Sequence, residues 1–473
     1  MRHPRLPSRG RNETVGLILF GLASMLLMWL EFFIVRHRVP LAFASAALSI
    51  IIAVAILRRQ RDARRIAVAV VAGAGAVSQL LWIATLQYVL FIAALVITIV
   101  LTVALWVIAW SQNRRKRSEH RSVLTVITRA TGLVAGSLAV LLSAGMTVVA
   151  IDPTPVAVAL QESSASGNSF EPHAPTETRV EKGVQLTSVL QYGSTYPNSY
   201  LDVYIADNDP TVDRPTFVVV HGGGFIIGDK ATGDPNSPVS ESAMFAVNSQ
   251  PLLENGYNVV AINYGLAPQV PYPVPVRQLG EAIQYLTVHA DELGLNMDAV
   301  VLSGSSAGGH IVGQYVNIQT DPAYAEEAGI EATINVDALK AVVLDSAALD
   351  ASRAGATQLP ELSRDLLFDL ALRSYVGTSR DTIAQSNIIT YANSAWPPAF
   401  IADGNTGSFP DQARDLSAKL DAAGVDNELL IPPVRDAVLV HGYMSEVSPW
   451  RDQYNERKIA FLEKSLTPEE TTG

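Results

Sequence analysis

Residues 66–110 are a run of 45 residues without one charged side chain. As a single straight helix that run would reach about 67 Å at 1.5 Å per residue. This is more than twice the ~30 Å of hydrocarbon in a bilayer. It must therefore fold back, most simply near Gln87, giving apolar spans of 22 and 23 residues. Three other stretches, 14–35, 40–57 and 131–151, are also apolar enough to cross, the second being short. Helices buried in a soluble bundle would need polar faces that these segments lack. The pattern predicts an all-α membrane region of about five transmembrane helices over residues 1–151.

Arginine placement predicts the orientation. Arg2, Arg5, Arg9 and Arg11 precede the first span, five Arg lie in 58–65, and four Arg with Lys116 lie in 114–121. Positively charged segments stay cytoplasmic. With all three inside, the N-terminus is cytoplasmic, 66–110 crosses twice, and the fifth span carries the rest of the chain out. Only Arg36 and Arg38 fall on the outer side. Glu31 sits near the end of its span beside Trp29 and two Phe, which predicts interfacial snorkelling rather than a functional charge. The spans show no cluster of charges and no internal repeat, so a transporter is not indicated.

Charge divides the chain at the same place. Residues 1–151 hold 17 Lys+Arg against 4 Asp+Glu, a net of +13; the remainder holds 17 against 41, a net of −24, making the −11 of the whole. Nucleic acid is not an expected partner of so acidic a globular part, whereas lipid headgroups suit the basic juxtamembrane segments. There is no Cys, which excludes disulfides, thiolate metal sites and a Cys nucleophile.

Residues 152–184 are rich in Pro, Ser, Glu and Ala and read as a tether. From 185 to 466 short β-branched runs (YLDVYIA, TFVVVHGG, YNVVAINYG, AVVLSGS, LKAVVLDS, PAFIADG, NELLIPP) alternate with helical stretches such as 276–293, 308–318 and 411–423. That alternation predicts an α/β domain, a mostly parallel sheet with helices on both faces. QLTSVLQY and YLDVYIA have no helix between them and predict an antiparallel edge. Residues 467–473 are a tail.

The chemistry-bearing signal is Gly304-x-Ser306-x-Gly308, directly after an apolar run and before a helical one, the context of a nucleophile elbow. Upstream, His221-Gly-Gly-Gly-Phe225 ends the TFVVV run. Glycines there let backbone amides approach a ligand, making Gly223 and Gly224, with Ala307, candidates to hold an oxygen that becomes negative as a carbonyl is attacked. His441, after the last predicted strand, is placed as a general base. His310 is expected to pack and His221 to orient its loop.

Together these residues resemble the α/β-hydrolase superfamily, specifically HGGG-type esterases related to hormone-sensitive lipase. The resemblance covers about residues 185–465 and includes Gly228-Asp-Lys230 and Asn263-Tyr-Gly-Leu-Ala-Pro268. It implies Ser306 as nucleophile and His441 as base in cleavage of carboxylic esters, with no cofactor or metal. The family also has an acid three residues beyond a Gly after the penultimate strand, and here an ungapped match puts Gly407 in that place. Asp403 is the chosen substitute acid, with Asp411 and Asp345 as alternatives. A Ser–His pair without an acid also stays open. The helical stretch 359–375 fits either an acyl pocket or packing onto the sheet.

The resulting expectation is a membrane-anchored, outward-facing esterase acting on small-molecule or lipid esters. An acyltransferase, or a catalytically impaired domain used for binding or sensing, stands as the alternative. Acyl and alcohol specificity and oligomeric state are not encoded in these motifs.

Overall fold

The computed structural model describes residues 9–58, 62–115, 123–163, 175–181, 183–230, 249–353, 355–358 and 362–467. Arg2, Arg5, Arg59, Arg61, Lys116, Arg117 and Arg121, most of the tail and the central part of the expected tether lie outside them. The chain forms two compact units, Met1–Pro153 and Thr154–Gly473.

The first unit holds α1 (Arg9–Phe33), α2 (Arg38–Leu57), α3 (Ala63–Thr85), α4 (Tyr88–Arg115) and α5 (Val123–Ile151). Each contains a stretch of at least 20 residues long and apolar enough to cross a membrane. The charge-free run breaks at Leu86 and Gln87, as its length demands. Leu86 takes a left-handed backbone (φ 53°) and its amide closes the end of α3 on Trp82 O at 2.6 Å. Large apolar side chains such as Leu19, Ile51, Val70 and Leu141 face outward.

Glu31 departs from the snorkelling expectation. Its side chain is fully buried, accepting hydrogen bonds from Ser45 Oγ and from Gln79 Nε2 at 2.9 and 3.2 Å. Arg38 is buried beside it and donates to Glu31 O at 3.1 Å. The unit thus contains a buried polar cluster that linear inspection missed, because its members are 7 to 48 residues apart. Burying a carboxylate is tolerated only where donors replace its hydration.

In the second unit, the expected tether is structured at both ends. A helix, α6 (Thr154–Ser163), begins after only Asp152 and Pro153 in the sequence past α5. Ala157 enters the hydrophobic core and Gln161 Nε2 donates to Ala267 O at 2.7 Å. Ala157 and Gln161 are one helical turn apart and share a face; one short turn-and-a-half of apolar pattern gave too weak a periodicity to stand out. Strand β1 (Glu177–Glu181) forms the other end.

Among the described residues, nine strands follow one another across a single sheet: β1, β2 (Val184–Gln191), β3 (Tyr200–Ile205), β5 (Asn258–Ile262), β4 (Pro215–Val220), β6 (Asn296–Ser305), β7 (Leu339–Asp345), β8 (Ala399–Ala402) and β9 (Asn427–Leu430). The pairings β1–β2, β2–β3 and β3–β5 are antiparallel, and all later ones are parallel. Alternate residues of the β-branched runs serve opposite faces. Val218, Val260, Leu302 and Val342 pack under α7 (Val274–Val288), α8 (Ala307–Thr320), α9 (Leu362–Val376) and α10 (Pro410–Ala423). Phe217, Val259, Val301 and Val343 pack under α11 (Pro449–Leu466). Burial on both faces explains the nearly continuous apolar runs. The carboxyl ends of β4, β6, β7 and β8 lie along one edge, where open α/β sheets bind ligands.

The docking of α6 is testable by limited proteolysis of the full chain in detergent. Residues 154–163 should resist cleavage, and Ala157→Glu, which forces a charge into the core, should expose them. Cleavage of the unaltered chain within α6 would contradict the packing.

Candidate active site

β6 ends at Ser305 and α8 begins at Ala307, leaving only Ser306 to turn the chain. Ser306 does so with φ 53° and ψ −112°, a conformation costly for any residue with a side chain and held only by its surroundings. Its amide donates to Asp345 O on β7 at 2.7 Å. The flanking glycines are sterically required. A Cβ on Gly304 would lie 2.3 Å from Gly308 O, and one on Gly308 would lie 2.1 Å from Val220 O. Strand β4 and the start of α8 touch backbone to backbone.

That contact delivers the loop after β4 to Ser306. A Cβ on Gly222 would lie 3.3 Å from Ser306 Cβ. Gly223 (φ 107°) and Gly224 (φ 60°) use backbone conformations that favour glycine. Among the described residues, no group accepts a hydrogen bond from the amides of Gly223, Gly224 or Ala307. Ala307 is also the first residue of α8, whose N-terminal amides favour negative charge.

The loop is braced from behind. His221 stacks on Tyr264 with centroids 4.3 Å apart and planes at 14°, and Tyr264 Oη donates to His221 O at 3.0 Å. Burial holds the His221 imidazole below its usual range, so it is neutral and Nδ1–H donates to Gly222 O at 2.7 Å. Lys230 Nζ pairs with buried Asp202 at 2.9 Å, its amide donates to Asn263 Oδ1, and Asn263 Nδ2 donates to Asp229 Oδ2 at 3.2 Å. The Gly228-Asp-Lys230 and Asn263 motifs are therefore loop anchors.

His441 lies in the loop between β9 and α11. Its Nε2 is 2.9 Å from Ser306 Oγ. The ring is packed by Phe368 on α9 (centroids 4.8 Å) and by Phe409 (5.5 Å). Burial, with the charge of Arg364, pushes the imidazole down to about 4, so it is neutral at pH 7 and able to accept a proton. Its loop is fastened to the segments after β8 and β7. Leu439 N donates to Asn405 Oδ1 at 3.0 Å, Asn405 Nδ2 donates to Ala437 O at 2.8 Å, and Gly442 N donates to Ser346 Oγ at 3.1 Å.

Asp403 does not bond His441 directly. His441 Nδ1 meets Ser408 Oγ at 2.8 Å, and Ser408 Oγ donates to Asp403 Oδ1 at 2.5 Å. Asp403 also accepts from the amides of Gly404 (2.7 Å) and Phe409 (2.9 Å). Burial raises it to about 7 in spite of these donors. Gly407, in the place of the expected acid, has φ 57° and donates its amide to Gln358 O at 2.8 Å.

The two alternative acids are elsewhere. Asp411 pairs with Arg353 at 3.4 Å, and Asp345 accepts from Tyr454 Oη at 2.6 Å on the α11 face. Sequence reading missed Ser408, because a Ser after Gly in a loop is an ordinary turn residue until its contacts are known. Phe409 was missed as a wall of the His441 ring, whereas Phe368 lies in the 359–375 stretch, whose expected uses were an acyl pocket or packing onto the sheet. His310 packs as expected: Nδ1 donates to Ala348 O at 2.6 Å and the ring stands edge-on to Phe225. The helix α9 meets the loop through Tyr375, stacked on Phe225 with centroids 3.9 Å apart.

The second unit has the α/β-hydrolase fold. Residues 201–420 match the family model described as BD-FAE. The chain is similar to carboxylesterase NlhH of Mycobacterium tuberculosis, 28% identical over 283 residues, covering 56% of this chain and 77% of the relative. A shorter segment of 113 residues is 31% identical to an acetyl esterase of Salmonella paratyphi B, covering 24% of this chain and 32% of that one. Among solved structures, esterase B of Lactobacillus rhamnosis shares the fold at 21% identity and a TM-score of 0.50, over 61% of this chain and 89% of the esterase.

Lys230 and Asp202 are a buried ion pair, and removing one partner strands the other charge. Asp202→Ala should lower stability by about 3–5 kcal/mol, read by thermal unfolding of the full chain in detergent. A melting temperature equal to that of the unaltered protein would show that the pair does not brace the loop.

Proposed function

We propose that the protein is a membrane-anchored serine hydrolase cleaving carboxylic esters, related to the HGGG-type esterases. The single observation that carries this is the 2.9 Å approach of His441 Nε2 to Ser306 Oγ at a strained strand-to-helix turn. Ser306 attacks the ester carbonyl as His441 takes its proton, and the imidazolium then protonates the leaving alcohol. The amides of Gly223, Gly224 and Ala307 receive the oxyanion, and water releases the acyl group from Ser306. Asp403 supplies the negative charge behind the imidazolium. No cofactor or metal enters these steps.

The esterase names of similar chains support this reading over a binding module. So does the retention of each part of the constellation, because a strained Ser, three amides with no acceptor among the described residues and a desolvated neutral His have no shared purpose in mere binding. Anchoring rests on the five apolar helices, and an extracytoplasmic catalytic domain rests on the arginine clusters. Substrates are small-molecule or lipid esters reachable on that side.

The purified full-length chain in detergent should hydrolyse nitrophenyl esters. Ser306→Ala and His441→Ala should each lower kcat by about 10³- to 10⁶-fold. Equal turnover by either variant and the unaltered enzyme would exclude the mechanism. Orientation is testable because the chain has no Cys. Val288→Cys, at a position 79% exposed, should react with a membrane-impermeant maleimide on intact cells; reaction only after lysis would place the domain in the cytoplasm.

A further inference from the structure

We infer that Ser408 is a positioning residue of this site: its hydroxyl stands between His441 and Asp403 and fixes the imidazole tautomer that Ser306 requires. The inference rests on the hydrolase reading above and assigns it a Ser306–His441–Ser408–Asp403 chain in place of a direct His–Asp contact.

The proton count decides the direction of each bond. An ionised carboxylate only accepts, so the Ser408 proton is committed to Asp403 Oδ1 at 2.5 Å. The Ser408 oxygen then presents only lone pairs to His441 Nδ1, 2.8 Å away. Nδ1 must carry the imidazole proton, leaving the Nε2 lone pair facing Ser306 Oγ at 2.9 Å. When Nε2 takes the Ser306 proton, both ring nitrogens bear hydrogen and the positive charge is felt by Asp403 through one polarised hydroxyl. No proton leaves Nδ1, Ser408 or Asp403 in the step.

Asp403 is too firmly held to be a chance neighbour. The amides of Gly404 and Phe409 fix both of its oxygens, and Ser408 itself is fully buried. The segment that carries Asp403 and Ser408 is tied to the His441 loop through Asn405. The left-handed backbone at Gly407 is the turn that precedes Ser408 in this segment.

Protonation of Asp403 reverses the chain. A carboxylic acid donates to Ser408, Ser408 can then donate to Nδ1, and the proton moves to the Nε2 tautomer, which cannot act as base. Burial places that change near pH 7. The other charged or titratable groups acting here are Arg364 on α9, acting on His441, and Tyr443, next to both Asp345 and Asp403. Burial and the two carboxylates hold Tyr443 far above the range.

The test is steady-state ester hydrolysis across pH 5–9 by the full chain in detergent. Ser408→Ala and Asp403→Asn should each lower kcat by about 10²- to 10⁴-fold with KM within about threefold, the scale of a lost tautomer. The unaltered enzyme should lose activity as pH falls through about 7, and this acid limb should be absent from both variants. The double variant should be no slower than Ser408→Ala alone, because both act through one chain. If Ser408→Ala does not fold, the nearly isosteric Asp403→Asn carries the same pH test. Ser306-dependent turnover with an unchanged rate and acid limb in the variants overturns the relay and leaves the hydrolase standing. Absence of any Ser306-dependent turnover in the unaltered chain removes the reading beneath it.

Discussion

Backbone packing at the end of β6 governs everything else at the site. Three segments, the ends of β4 and β6 and the first turn of α8, approach so closely that a single methyl at Gly304 or Gly308 would lie within 2.3 Å of a backbone atom. Such separations cannot be relieved by turning a side chain; the sheet or the helix would have to move. The contact lifts Ser306 into its strained turn and sets the glycine loop beside it. It also places the first residue of α8 directly after Ser306. One steric requirement thus produces both the proposed nucleophile and the proposed anion cradle.

A second constraint is the cost of taking polar groups out of water. His221, His310 and His441 are all held neutral by burial, and each meets a single acceptor at Nδ1. For His221 and His310 the acceptor is a carbonyl, which suits a structural ring. For His441 it is a hydroxyl backed by a carboxylate, which suits the charge change of the proposed mechanism. Asp403 is surrounded by donors, yet desolvation still outweighs them, leaving its carboxylate poised near neutrality. A bond made through Ser408 is how a carboxylate can serve His441 without occupying the turn at Gly407.

Much of this was legible in the sequence, where local chemistry dictates local structure. A charge-free run of 45 residues has no option but to turn back, and it does so at Leu86 and Gln87. Apolar runs of β-branched residues became strands buried on both faces, and the glycines around Ser306 announced a turn no other residue could make. What escaped depends on contacts between distant positions. Glu31 meets Gln79 from 48 residues away, Gln161 meets Ala267 from 106, and Ser408 meets His441 from 33. Asp403 was reachable as a strand-end carboxylate, but the hydroxyl that connects it was not. Composition misled at residues 154–163, where a docked helix lies in a Pro- and Ser-rich stretch.

The account's central claim is that Ser306 is an activated nucleophile, and it is tested most directly by covalent capture. The full-length protein in detergent is treated with a fluorophosphonate, digested, and the modified peptide identified by mass spectrometry. The account predicts one adduct on Ser306, formed rapidly and lost when the protein is unfolded before treatment. No adduct on the folded protein, or an adduct on another serine with Ser306 unmodified, would contradict it.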